Sequence, residues 1–252
     1  MICRTVTMHM KRILIGTLKG ILTCKFKILD PKIFRHRFFK LSWTRNLSFS
    51  LIQFRSCLQQ KKNLTLCLLP LTEKCQHSSV VAVKVIRFNM PLIEELLADD
   101  PDLRVIHLVR DPRGMLQSWR EVSVPRLTDV NMQISANIAC QRMLTDSVTR
   151  RILEKKFPGR IHVLRYEDLA THVDRVLDDV YIGLLQQPVP PEVRKKMNDQ
   201  INAEVNDGKF KTRRKNGTAS AHSWKRKIDK NYLSYVNKHC GDILSVLKYD
   251  ES

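Results

Sequence analysis

The chain has 252 residues, enough to bury a full core in one domain or in one domain with a tail. Its 44 Lys and Arg outnumber 25 Asp and Glu, for a formal charge of +19. That balance favours anionic partners such as nucleotides, nucleic acid, acidic lipid or sulfated polysaccharide. The seven cysteines include no CxxC pair, which argues against a zinc site. No zinc-finger spacing, RNA-binding aromatic signature or basic-region heptad occurs, so nucleic acid is the disfavoured partner.

Residues 1–79 form an atypical basic segment whose only acids are Asp30 and Glu73. Ile13 to Leu29 is its most apolar stretch. Lys19, Lys25 and Lys27 interrupt it, so it falls short of the about 18 apolar residues of a membrane span. It also lacks the small-residue cleavage pattern of a secretory signal. Sequons stand at Asn46, Asn63 and Asn216.

An orderly pattern begins at Val80, and residues 80–252 read as one α/β domain. Val80 to Ile86 reads as a buried strand, with Lys84 snorkelling or at an edge. Pro91 opens a helix whose apolar face is Leu92, Ile93, Leu96 and Leu97, and Asp99-Asp100-Pro101 ends it. The β-branched run Val105 to Val109 suits a strand buried on both faces of a parallel sheet. Asp111-Pro112 then supplies an N-cap and a first helical residue, and the helix they open fades by Pro125. Asn131 caps a long helix in which Ile134, Ile138, Val148 and Ile152 recur at amphipathic spacing, with Met143 and Leu144 between them. Pro158-Gly159 stops it. Arg160 to Tyr166 is a third strand, followed by one helix from Asp168 to Leu185.

Beyond Pro188 to Pro191 a polar helix runs from Glu192 to about Val205. Asn206 to His222 is basic and has no apolar periodicity, and it reads as a mobile loop. The terminal helical region packs through Leu233, Val236, Cys240, Ile243, Leu244 and Leu247, and Trp224 reads as a packing residue, with a sugar platform as the alternative.

The strand–turn–helix unit at 104–120 carries the chemistry. Ligands in open α/β sheets bind at the carboxyl ends of strands, where helix N-termini attract anions. Arg110 sits at such an end, and Ser118 lies two turns into the following helix. A guanidinium and a hydroxyl there suit a phosphate. A capped turn with Arg110 paired to Asp111 or a neighbour is the structural alternative.

LVRDPRGMLQSW resembles the 3′-phosphate-binding motif of sulfotransferases, which use 3′-phosphoadenosine-5′-phosphosulfate (PAPS). The RDPR form with a downstream Ser is most similar to the Golgi carbohydrate sulfotransferases that modify carbon-6 hydroxyls of Gal, GalNAc or GlcNAc. VVAVKVIR, RYEDL and CGDILSVLKY extend the resemblance over about residues 80–252. The resemblance implies a three-layer parallel sheet flanked by helices, a P-loop nucleotide-kinase-like sulfotransferase fold, here incomplete at its N-terminus. It implies that Arg110 and Ser118 hold the 3′-phosphate and that Tyr166 lies near the adenine. A core aromatic is the alternative for Tyr166. Arg213 and Lys215, in a stretch loosely similar to the Arg-Lys-Gly loop of cytosolic sulfotransferases, would close over the 3′-phosphate; a solvated basic loop is the alternative.

The implied activity is sulfate transfer from PAPS, as co-substrate and without a metal, to a sugar hydroxyl of a glycan or proteoglycan acceptor. The implied setting is the Golgi lumen, as a type II membrane glycoprotein. A disulfide between Cys140 and Cys240 fits a luminal enzyme, with two buried free thiols as the alternative. The family's phosphosulfate loop, roughly Arg-(Thr/Ser)-Gly-Ser-Ser, is not found before Val80. Ile15 to Gly20 has suitable residue types but lacks the Ser pair. No catalytic base is assigned, and His107 reads as a sheet histidine. An inactive or truncated relative that binds 3′-phosphoadenosine nucleotide or anionic glycan without turnover is therefore the second reading.

Overall fold

The computed structural model describes residues 8–35, 49–60, 62–86, 88–123, 129–204 and 213–249. Cys3, Asn46, Pro125 and residues 206–212 of the basic loop lie outside the described residues. The chain divides into two compact units, Arg4–Phe88 and one built on Asn89–Ser252.

The first unit is helical, with α1 (Met8–Leu22), α2 (Pro31–Arg35), α3 (Phe49–Gln59) and α4 (Leu64–Gln76). Leu29, Phe34, Phe54, Cys67 and Leu68 form its core. Disulfides join Cys24 to Cys75 and Cys57 to Cys67. The Asn63 side chain caps α4 by accepting from the Thr65 amide. Val80 to Ile86 is not a strand. The segment is irregular, and Val80, Val85 and Ile86 are exposed. A strand needs a neighbour to satisfy its ladder, and none pairs with this segment among the described residues.

The second unit is α/β, mostly helical around a small parallel sheet. Its elements are α5 (Ile93–Asp99), β1 (Val105–Val109), α6 (Pro112–Ser123), α7 (Asp129–Lys156), β2 (Ile161–Arg165), α8 (Tyr166–Thr171), α9 (Val173–Asp178), α10 (Pro191–Ile201), α11 (Gly217–Ala221), α12 (Trp224–Lys227), α13 (Lys230–His239) and α14 (Gly241–Val246). β1 and β2 pair in parallel, from Val105 opposite Ile161 to Val109 opposite Arg165. Helices α6 and α7 make the long connection that parallel neighbours require. β1 is not buried on both faces. Ile106 and Leu108 are 45% and 54% exposed, and Val109 enters the core.

The long helix starts at Asp129, two residues ahead of the expected cap at Asn131. The face it buries also differs in part from the expected one. Met132, Ala136, Ala139 and Cys140 enter the core and the expected Met143 and Leu144 pack against it, while Ile134, Ile138, Val148 and Ile152 are exposed. The small residues let the terminal helices approach closely. There Val236, Cys240, Ile243, Leu244 and Leu247 complete the core, and a disulfide joins Cys140 to Cys240. Trp224 packs in the same core, lying against Gly114, where a Cβ would come within 2.7 Å of the indole.

The expected single helix after β2 breaks at His172, whose φ of −133° is not helical. It resumes as α9 and ends in a π turn over Asp179–Leu184. The break lets Val173, Val176 and Leu177 turn inward. The polar helix stops at Ile201, short of Val205.

Candidate functional site

Both strands end at matching positions, Val109 opposite Arg165, so the residues that follow them, Arg110 and Tyr166, lie side by side just past the ladder. The Arg110 guanidinium lies 4.4 Å from the centre of the Tyr166 ring. That stacking holds the cation by the ring's quadrupole and leaves its in-plane N–H groups free to donate. Arg110 Nε is buried and has no hydrogen-bond partner. A buried unsatisfied donor is costly, and a group that supplies an acceptor would relieve the cost.

Asp111 does not neutralise Arg110. Its carboxylate, 3% exposed, accepts the Arg113 amide at 2.8 Å and so caps α6, as its position before Pro112 implies. It also receives the Arg113 guanidinium in a bidentate pair, with Nε at 3.0 Å from Oδ1 and Nη2 at 2.8 Å from Oδ2. Arg113 is further held over the Trp224 ring at 4.7 Å. Its charge is compensated, whereas among the described residues no carboxylate pairs with Arg110.

Two residues that the sequence shows only inside longer motifs, Glu167 in RYEDL and Tyr249 in CGDILSVLKY, hold the strand end from behind. Glu167, 7% exposed, accepts the Asp111 amide at 3.1 Å through Oε1 and the Tyr249 hydroxyl at 2.5 Å through Oε2. Burial, reinforced by the Glu167 carboxylate, pushes the Tyr249 hydroxyl far above its ordinary pKa, so it stays a donor. Arg113 Nη2 donates to the Tyr249 carbonyl at 2.7 Å, and Arg165 stacks on the Tyr249 ring at 4.1 Å.

The remaining expected residues are placed less directly. Ser118 is half-buried on α6, and no hydrogen bond joins it to Arg110. Arg213 and Lys215 are exposed on a pinned segment. The Arg214 amide donates to the Gln200 carbonyl, and the Arg214 carbonyl accepts from the Ala203 amide, both at 2.8 Å. The stretch after it is not a loop throughout. The Asn216 side chain caps α11 by accepting from the Ala219 amide. Gly217 sits so close to the Ala170 carbonyl that a Cβ would come within 2.7 Å. The segment therefore docks on α8, the helix that Tyr166 opens.

Ile15 to Gly20 lies inside α1, where backbone amides are consumed by the helical ladder, so it is no anion-cradling turn. Among the described residues no cluster could hold a metal ion, and no helix is long and apolar enough to cross a membrane.

His107 is a sheet histidine facing α7. Burial, and secondarily Arg150, pushes its pKa down to about 4, against the opposing effect of Glu154. Between pH 6.5 and about 4 the unfolded chain takes up a proton that the folded ring refuses. Stability therefore falls as pH falls through that window. The expected loss is on the order of 2 kcal/mol, allowing for the ring's partial exposure. His107→Gln should flatten that part of the pH profile, as measured by urea midpoints at pH 7 and 4.5. An unchanged slope would contradict the assignment.

The family model described as "Sulfotransferase family" matches residues 44–184. Its span opens ahead of Val80, where the motif resemblance starts. The chain is 28% identical over 194 residues to "Carbohydrate sulfotransferase 1" of Homo sapiens, covering 70% of this chain and 46% of that protein. It is 30% identical over 219 residues to the protein of that name in Danio rerio, covering 79% and 50%. It is 28% identical over 191 residues to "Carbohydrate sulfotransferase 3" of Rattus norvegicus, covering 67% and 39%. The chain thus spans about half the length of the curated relatives it matches. No solved structure matches.

Proposed function

Because the chain belongs to the sulfotransferase family, we propose that its strand-end site binds the 3′-phosphoadenosine part of PAPS and that the protein transfers sulfate to a carbohydrate hydroxyl. The observation that carries the reading is the Arg110 cation, stacked on Tyr166, with a buried Nε lacking an acceptor. Arg110 would hold the 3′-phosphate, with Ser118 adding a hydroxyl and Arg213 and Lys215 adding charge from the segment docked on α8. Tyr166 would support the adenine. In the reaction the bond between sulfur and the 5′-phosphate oxygen of PAPS breaks as sulfur bonds to a sugar oxygen; 3′-phosphoadenosine 5′-phosphate leaves with the electron pair, and the sugar hydroxyl's proton is released to water.

The finer reading places transfer at carbon 6 of Gal, GalNAc or GlcNAc, on a glycan or proteoglycan in the Golgi lumen. It rests on the RDPR form of the motif, and the names of the relatives support its coarser part, a carbohydrate acceptor. The exposed apolar face of β1 at Ile106 and Leu108 is one that the outer helices of a three-layer, nucleotide-kinase-like fold would cover, because parallel strands are covered on both faces.

A second reading is favoured by one observation. The Ile15 to Gly20 stretch, the nearest approach to a phosphosulfate cradle, is helical. The second reading is nucleotide binding without turnover. Radiolabelled sulfate transfer from PAPS to a panel of Gal-, GalNAc- and GlcNAc-ended glycans, run beside binding of 3′-phosphoadenosine 5′-phosphate, separates the two. Turnover supports the enzyme. Binding alone selects the second reading. Absence of both overturns the site assignment.

A further inference from the structure

Arg110 and Tyr166 are each followed by a buried carboxylate residue, and those two neighbours are joined to each other. Glu167 Oε1 accepts the Asp111 amide, so a side chain continues the β1–β2 ladder one step past its last backbone pair, Val109 and Arg165. The same carboxylate is held at Oε2 by the Tyr249 hydroxyl, 82 residues away in sequence. Tyr249 is anchored in turn. Its ring lies under Arg165, and its carbonyl receives Arg113, which grips the Asp111 carboxylate. The bonds form a closed circuit from the Asp111 amide through Glu167, Tyr249 and Arg113 back to the Asp111 side chain. The circuit encloses the turn that projects Arg110.

We propose that Glu167 and Tyr249 are positioning residues, which fix the Asp111 peptide and thereby hold the Arg110 guanidinium against Tyr166 for a nucleoside 3′-phosphate. The inference rests on the functional reading above and deepens it. Neither residue touches the nucleotide. Both act through Arg110. Each oxygen of the Glu167 carboxylate accepts a hydrogen bond within the circuit, so loss of one donor leaves a buried carboxylate oxygen unsatisfied and lets the strand-end peptide shift. A displaced Arg110 would cost affinity for the 3′-phosphate and leave the adenosine and 5′-phosphate contacts intact.

The test uses the full chain and calorimetric titration with two probes, 3′-phosphoadenosine 5′-phosphate and adenosine 5′-phosphate. Tyr249→Phe keeps the ring over which Arg165 lies and removes only the hydroxyl. It is expected to weaken the bisphosphate by about three- to thirtyfold, the middle of the roughly two- to 150-fold range of coupling between contacting groups. Adenosine 5′-phosphate should bind as in the wild type. In an Arg110→Ala background the same change should have no further effect. Glu167→Gln, whose amide can accept from Asp111 and donate to Tyr249, should retain affinity within about threefold. Glu167→Ala should not.

Equal loss for both nucleotides, no loss with Tyr249→Phe, or an undiminished loss in the Arg110→Ala background would each overturn the positioning role. Failure of the wild-type chain to bind the bisphosphate would instead overturn the functional reading, and the inference with it.

Discussion

Replacing Arg110 by Ala is expected to weaken binding of 3′-phosphoadenosine 5′-phosphate by roughly 1.5–3 kcal/mol, the range for a lost hydrogen bond to a charged group. That is about ten- to 150-fold in dissociation constant. The size of the effect follows from the residue's surroundings. Its guanidinium is spread over the Tyr166 ring, no carboxylate among the described residues spends its charge, and its buried Nε lacks an acceptor. Arg110→Lys should recover little, because an ammonium cannot reproduce a planar fork stacked on an aromatic face. The change should leave folding nearly untouched, since Asp111 and Arg113 keep their cap and ion pair without it. Titration of both variants beside the wild type is the check. Unchanged affinity in Arg110→Ala would remove the residue from the site.

The second large effect is on stability. The Cys140–Cys240 disulfide closes a loop of 100 residues through the middle of the second unit's core. The chain-entropy estimate for such a loop is about 4–5 kcal/mol. Replacing both cysteines by Ala should lower the unfolding free energy by about that much, less whatever the reduced chain regains by relaxing. Trp224 belongs to the same core, so its fluorescence follows the transition that matters. Urea unfolding of the double variant, with the disulfides Cys24–Cys75 and Cys57–Cys67 left intact, gives the number. A loss below about 1 kcal/mol would mean that the packed helices alone hold this core.

The two effects live on different links of the same chain of causes. The disulfide ties α7 to the junction of α13 and α14, and the segment after α14 carries Tyr249 to the ends of β1 and β2. A core that keeps the terminal helices in place thereby keeps the floor of the site in place. Loosening it should soften the site before it unfolds the domain, because the Tyr249 contacts depend on that placement.

What could be read from the sequence was local. β1, the Asp111 cap and the start of α6 at Pro112 are set by residues within a few positions of one another. The family resemblance assigns Arg110 and Tyr166 to one nucleotide, but the sequence reads Tyr166 as the last residue of its strand, and the stacking of the two side chains follows from the β1–β2 register, which the sequence does not state. What failed was nonlocal. Val80 to Ile86 has a strand's composition, but it finds no partner strand among the described residues. Apolar periodicity placed Met143 and Leu144 of α7 correctly against the core but misplaced its four β-branched residues. The large aliphatic residues Ile134, Ile138, Val148 and Ile152 point outward, and the buried row is built from Met132, Ala136, Ala139 and Cys140. Close packing of α7 on the terminal helices demands small side chains, whereas a periodic pattern is carried to the eye by the large ones. Glu167 was visible only as part of RYEDL, and Tyr249 only as the last residue of CGDILSVLKY. No spacing rule links two groups 82 residues apart, although their hydrogen bond closes the site. The basic loop was legible as charge but not as structure. The Asn216 cap, with Gly217 against the Ala170 carbonyl, turns part of it into α11 docked on α8.

The central claim is that the ends of β1 and β2 form a seat for a nucleoside 3′-phosphate. A crystal structure of the full chain with 3′-phosphoadenosine 5′-phosphate tests it most directly. The account predicts the 3′-phosphate within hydrogen-bond distance of the Arg110 guanidinium, with the adenine beside Tyr166. A nucleotide bound elsewhere, or an Arg110 turned from it onto a carboxylate, would contradict the account.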